Sequence, residues 1–84
     1  MDIDALRSFV AFVDTGSFTR AAMQTYRSQS AISMQMKKLE EETGQALFSK
    51  SGRNVALTER GQELVSYARR ILSLHDEAIS HFKH

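Results

Sequence analysis

Eighty-four residues, 42% hydrophobic and 25% charged, make one small globular domain and exclude both a second core and a disordered chain. Cysteine is absent, which excludes a disulfide framework and a thiolate zinc site, and proline is absent too, so helices can run without breaks. The net charge of +1 hides a segregation: residues 15–39 carry Arg20, Arg27, Lys37 and Lys38 without an acid, and residues 43–58 carry Lys50 and Arg53 without an acid.

The first helix is predicted over Asp4–Asp14. Leu6, Phe9, Val10 and Val13 fall at i, i+3, i+4 and i+7 and form one apolar stripe, and Gly16 follows as a stop. Ser17 is placed to cap a second helix that begins at Phe18 and fades near Thr25 and Tyr26. Its Ala21 and Ala22 let a neighbouring helix approach closely. Ser28 caps a third helix, Gln29 to Thr43, which Gly44 ends. Ile32, Met36 and Leu39 form the apolar stripe of that helix, and Ser28, Gln29, Ser30 and Ser33 its polar side. Lys37 with Glu41 and Lys38 with Glu42 have the i, i+4 spacing of ion pairs, and Glu40–Glu42 reads as a solvated helix end.

Two short strands, Leu47-Phe48-Ser49 and Val55-Ala56-Leu57, flank a turn over Lys50–Asn54 that contains Gly52. A hairpin this small cannot stand alone, so Leu47, Phe48, Val55 and Leu57 must pack on the helices. Thr58 caps a last helix, 59–84, with Glu59 near its positive pole. About 25 residues rising 1.5 Å each make a rod of nearly 40 Å. Along it Leu64, Val65, Ala68, Ile71, Leu72, His75, Ala78, Ile79 and Phe82 form two rows with steps of three and four, the habit of a helix that lies along another. The domain behind the rod is too small to cover that whole surface, so pairing with a second copy is expected.

A helix with one apolar stripe and an opposite side of small hydrogen-bonding groups suits the floor of a DNA major groove, and the clustered cations suit a polyanion. No apolar run approaches the length of a bilayer span, and Met1-Asp2-Ile3-Asp4 is not a signal-peptide start. The expectation is a cytoplasmic protein without a membrane partner.

The blocks LRSFVAFVDTGSFTRAA, SQSAIS and KKLEEETGQALF, a wing ending in LT, and a Gly three residues past Thr58 come in a specific order and spacing. Together they resemble the N-terminal DNA-binding domain of LysR-type transcriptional regulators over essentially the whole chain. The resemblance implies a mainly α fold: a winged helix-turn-helix of three helices and a short β-hairpin wing, followed by a long dimerising linker helix. It implies a DNA-binding head over 1–58 and a linker over 59–84 that pairs antiparallel in a homodimer. It also implies an imperfect inverted-repeat operator in double-stranded DNA, and a C-terminal domain sensing a small-molecule effector. That effector domain is absent from this chain, which is therefore read as a fragment. Four positions depart from the common family pattern, among them Ser30 at a frequent Pro and Lys50 at a common Arg of the wing. Met34 stands where many relatives carry an Arg that contacts bases, so that contact is not carried over, and Thr25 stands at a common Leu.

The recognition helix is then 29–43, in the major groove, and the wing 49–55 lies at the minor groove. Gln29 can bond an adenine bidentately, Ser30 and Ser33 can reach base edges or backbone, and Met34 can touch a thymine methyl. Phosphate contacts fall to Lys37, Lys50 and Arg53, to the hydroxyl of Thr19, and to the helix starts at Ser17 and Ser28. Arg53 can also enter a narrow minor groove. Arg20 reads as backbone-facing or solvated. No enzyme is expected: His75 and His81 lack ligand spacing, no nucleophile–base pair presents itself, and neither a metal nor a cofactor is expected in this domain. The rival reading is a protein-interaction module built on the long helix, which salt-dependent DNA binding separates from the first.

Overall fold

Four short polar side chains start the four helices. The computed structural model describes residues 1–83, with α1 over Ile3–Thr15, α2 over Phe18–Gln24, α3 over Gln29–Thr43 and α4 over Glu59–Lys83. An antiparallel hairpin of β1 (Phe48–Ser51) and β2 (Asn54–Leu57) lies between α3 and α4. His84, the last position of the predicted rod, lies outside the described residues. The Asp2 carboxylate accepts from the Asp4 N–H at 2.8 Å, Ser17 Oγ from Arg20 at 3.2 Å, Ser28 Oγ from Ala31 at 3.1 Å, and Thr58 Oγ1 from Gly61 at 3.0 Å. Each satisfies a backbone donor that the first helical turn cannot. The chain reverses after α1 and α3 through Gly16 and Gly44, whose φ of 72° and 67° no β-carbon tolerates well. The mainly α winged helix-turn-helix expected from the sequence is thus the fold observed.

The central post is α1, which packs against α2, α3 and α4. It therefore buries more than one stripe. Leu6 and Phe9 are fully enclosed as expected, but Phe12 is buried as well, in a second cluster with Ala11 and Ala21, while Val10 and Val13 are only half-buried. Ser8 is buried as well, and its hydroxyl donates to Gln35 Oε1 on α3 at 2.6 Å, so the polar group enters the core with its partner. Ile32, Met36 and Leu39 of α3 close over the same core.

Phe48 ties the wing to the helices. Its ring meets Phe9, Phe12 and Phe18 edge-on at centroid separations of 5.9, 5.4 and 5.5 Å, and Phe12 stacks on Phe18 at 4.3 Å. The hairpin turn is tighter than the predicted Lys50–Asn54: Ser51 pairs with Asn54, leaving only Gly52 and Arg53 at the tip. Gly52, at φ 63°, supplies the left-handed first position that such two-residue turns use. Glu40 also departs from expectation. Instead of ending in solvent, its carboxylate accepts from the Leu47 N–H at 2.8 Å and the Phe48 N–H at 3.4 Å, holding the entry to β1 against α3.

The long helix does two jobs where the sequence suggested one. Leu64, Ala68 and Leu72 were expected at a subunit interface, but they belong to the core of their own chain, with Ala68 0% exposed. A helix that leaves a small domain first completes that domain's core, and an apolar period does not say against what it packs. Val65 and Ile71 are half-buried against the same core. Beyond them the chain extends to an overall length of 48 Å, and Leu74, Ala78, Ile79 and Phe82 face outward. Ion pairs brace the departure of α4 from α1: Arg69 to Asp14 at 2.7 Å and Arg7 to Asp76 at 2.6 Å. No described helix is long and apolar enough to cross a membrane.

Two predictions test this packing. A β-carbon at Gly61 would sit 2.3 Å from the Leu47 carbonyl oxygen. Gly61→Ala should therefore lose about 1–3 kcal/mol to the clash, although the same change in an open helix interior gains up to ~1 kcal/mol. Thermal unfolding reads the sign, and a raised Tm contradicts the close approach. The hydrogen bond from Arg7, then that from His75, holds the Asp76 carboxyl below its ordinary pKa of 3.8. A depressed carboxylate contributes stability that is fully present above its unfolded pKa and is lost as pH falls through the folded one. Asp76→Asn should therefore lower Tm at neutral pH and flatten its decline in acid below about pH 4; an identical acid profile contradicts the brace.

Candidate nucleic-acid interface

Burial of one stripe of α3 fixes what its other side presents. With Ile32, Met36 and Leu39 inside, Ser28, Gln29, Ser30, Ser33, Met34, Lys37 and Lys38 all stand exposed, Met34 at 73%. Gln29, Ser33 and Lys37 lie one above the other along the helix, with Ser30 and Met34 in the adjoining row. At the N-terminal end the hydroxyls of Ser28 and Ser30 are 3.1 Å apart. The Gln29 side-chain amide donates from Nε2 to Thr19 Oγ1 in the first turn of α2.

The wing turns this face into two clefts. One, of about 370 Å³, is lined by Gly16, Ser17, Thr19, Gln29, Arg53 and Asn54, together with the apolar floor of Phe12, Phe18 and Val55. The other, of about 500 Å³, gathers Ser33, Lys37 and Glu40 of α3 opposite Lys50 and Val55 of the hairpin, over Phe18, Met36 and Phe48. Met34, Lys37, Lys38 and Glu41 line the surface beside it. Of the three carboxylates that end α3, two are engaged by the protein itself, and Glu41 has no cation at ion-pair distance among the described residues. Glu40 is held by the backbone of Leu47 and Phe48, and Glu42 lies 3.5 Å from the amino terminus. Among the described residues, neither the Lys37–Glu41 nor the Lys38–Glu42 pair closes, and Arg20, Lys37, Lys38, Lys50 and Arg53 have no carboxylate at ion-pair distance. Arg27 is different: it pairs with Asp4 at 2.9 Å and is withdrawn from the positive face.

Most residues singled out in the sequence are therefore brought together. Ser17, Thr19, Gln29 and Arg53 meet in the first cleft, Ser33, Lys37 and Lys50 in the second, and Met34 flanks Lys37. Ser28 and Ser30 sit at the exposed helix start. Ser17 is half-buried with its oxygen engaged in the α2 cap, and Arg20 is exposed but lines neither cleft. Asn54 and Lys38 were missed. Asn54 reads in sequence as a turn former, and only the tight register at Ser51–Asn54 places it beside Arg53. Tyr26, 95% exposed, holds a φ of 57° in the connection that aims α3 away from α2. On α4, His75 is half-buried with Nδ1 3.4 Å from the Asp76 carboxylate, and Tyr67 and Leu74 are exposed apolar groups that the sequence reading passed over.

Comparison with known proteins agrees with this geometry. The family model for "Bacterial regulatory helix-turn-helix protein, lysR family" matches residues 3–62. The chain is 49% identical over 78 residues to the HTH-type transcriptional regulator PecT of Dickeya dadantii (strain 3937), covering 93% of this chain and 25% of PecT. Among solved structures, the BenM DBD/catB site 1 DNA complex superposes with a TM-score of 0.90 at 38% identity, covering 99% of this chain and 93% of that one. The CbnR DBD–DNA complex gives a TM-score of 0.90 at 32% identity, covering 99% of this chain and 95% of that one. The chain spans about a quarter of the length of PecT.

Proposed function

The chain belongs to the lysR family of bacterial regulatory helix-turn-helix proteins, and we propose that it binds double-stranded DNA sequence-specifically as a homodimer, as the DNA-binding part of a transcriptional regulator. The observation that carries this reading is the exposed side of α3. Apart from Met34 it is polar and cationic from Gln29 to Lys38, and it stands beside a hairpin that adds Lys50 and Arg53. In this reading α3 enters the major groove. Gln29, Ser30, Ser33 and Met34 meet base edges, while Thr19, Lys37 and Lys50 hold phosphates and Arg53 reaches the minor groove. The relatives are regulators, and the role assigned here is binding without catalysis and without a cofactor in this domain. Its place of action is the cytoplasm, where a bacterial chromosome lies. A small-molecule effector acts through a part of the regulator outside this chain.

The homodimer rests on the outer stripe of α4. Tyr67, Leu74, Ala78, Ile79 and Phe82 are exposed, and Phe82 reaches 85%. Tyr67, Leu74, Ala78 and Phe82 follow one another at seven, four and four residues, which keeps them on one side of the rod, with Ile79 at its edge. An antiparallel partner helix would cover them and set two heads on two half-sites of an imperfect inverted repeat.

Arg53→Ala should weaken binding to every duplex and reduce the salt dependence by about one unit of slope; an unchanged slope rejects the wing contact. Leu74→Asp should leave the head folded yet convert the dimer to a monomer in sedimentation. It should also abolish the preference for duplexes with two half-sites over one. A dimer that survives this change contradicts the stripe. Absence of salt-dependent affinity for any duplex would favour the interaction-module reading instead.

A further inference from the structure

We propose that Thr19 is a positioning residue that sets which way the Gln29 amide presents itself to a base, and so couples a phosphate contact to sequence reading. The inference rests on the DNA-binding reading above. Thr19 lies in the first turn of α2 and Gln29 opens α3. The connection through Tyr26, with the Arg27 N–H bonded to the Ala22 carbonyl at 2.9 Å, brings the two helix starts together. Gln29 Nε2 donates to Thr19 Oγ1, and both line the cleft that Arg53 closes from the wing.

The chemistry of the two groups gives the pair its direction. A side-chain amide has two N–H donors and one carbonyl oxygen. With one N–H given to Thr19, the other N–H and the oxygen remain, which is the donor–acceptor pair that N7 and N6 of adenine require. The terminal torsion of glutamine is broad and nearly two-fold. An untethered amide can therefore turn over and present the inverted pair. The Thr19 hydroxyl has one proton and two lone pairs. Among the described residues Thr19 Oγ1 accepts from Gln29 and donates to no protein group, and the cleft it lines holds no carboxylate; a DNA phosphate is the acceptor at hand once the cleft meets a duplex. A hydroxyl donating to phosphate can only accept from Gln29, so docking on the backbone fixes the nitrogen end of the amide toward α2.

The test uses the whole chain and a duplex selected by the wild type from a random pool. Affinities are measured on that duplex and on variants altered one base pair at a time, for wild type, Thr19→Val, Thr19→Ser, Gln29→Ala and the Val/Ala double variant. Circular dichroism verifies that each variant is folded. Gln29→Ala should erase discrimination at one A·T pair. Thr19→Val should weaken binding to all duplexes and, in addition, reduce discrimination at that same pair by about 2- to 10-fold, the equivalent of one hydrogen bond. Thr19→Ser should restore the discrimination, and the double variant should discriminate no less than Gln29→Ala alone. A Thr19→Val protein that loses affinity equally on every duplex, with discrimination intact, overturns the inference and leaves DNA binding standing. A wild type that selects no duplex overturns the DNA-binding reading and this inference with it.

Discussion

The packing of Ile32, Met36 and Leu39 against α1 is the constraint from which the rest follows. Ile32 and Leu39 are fully enclosed, and burying side chains of this size contributes about 1.5–3 kcal/mol each. Rotating α3 about its axis would place Gln29 or Lys37 in that apolar space without partners, at a cost of several kcal/mol. The orientation of the polar face is therefore set by the core. The buried stripe and the side proposed to meet DNA are opposite faces of one helix, so α3 can be varied at Ser30, Ser33 or Met34 without disturbing the fold.

The hairpin is held to the same reference. Phe48 inserts among Phe9, Phe12 and Phe18, Leu47 is buried beside it, and Glu40 receives the two amides that lead into β1. The tip is thus displaced from the aromatic cluster by only a few residues, and Lys50 and Arg53 keep a defined position relative to Lys37 and Gln29. The carbonyl of Leu47 also approaches Gly61 too closely for any side chain there. Wing, recognition face and the root of α4 are consequently parts of a single packed unit, while the outer half of α4 projects away from it.

Helix starts and stops were legible because their chemistry is local. Ser17, Ser28 and Thr58 cap within three residues, and Gly16 and Gly44 adopt the backbone that only glycine takes easily. The polar side of α3 was legible because its period is simple. What the sequence withheld was long-range. The bond from Gln29 to Thr19 crosses ten positions, Glu40 reaches seven and eight residues ahead, and Arg27, in the turn between α2 and α3, pairs with Asp4 of α1. The apolar rows of α4 were seen, but periodicity could not divide Leu64, Ala68 and Leu72, which serve the chain's own core, from Ala78, Ile79 and Phe82, which face outward.

The central claim is that the face opposite the buried stripe of α3 meets a duplex. Titrating selected duplex DNA into isotopically labelled protein at low salt, and following each amide by NMR, tests it most directly. The account predicts the largest shifts at Thr19, across Gln29–Lys38 and over Lys50–Asn54. Shifts confined to the outer half of α4, or none at any position, would contradict it.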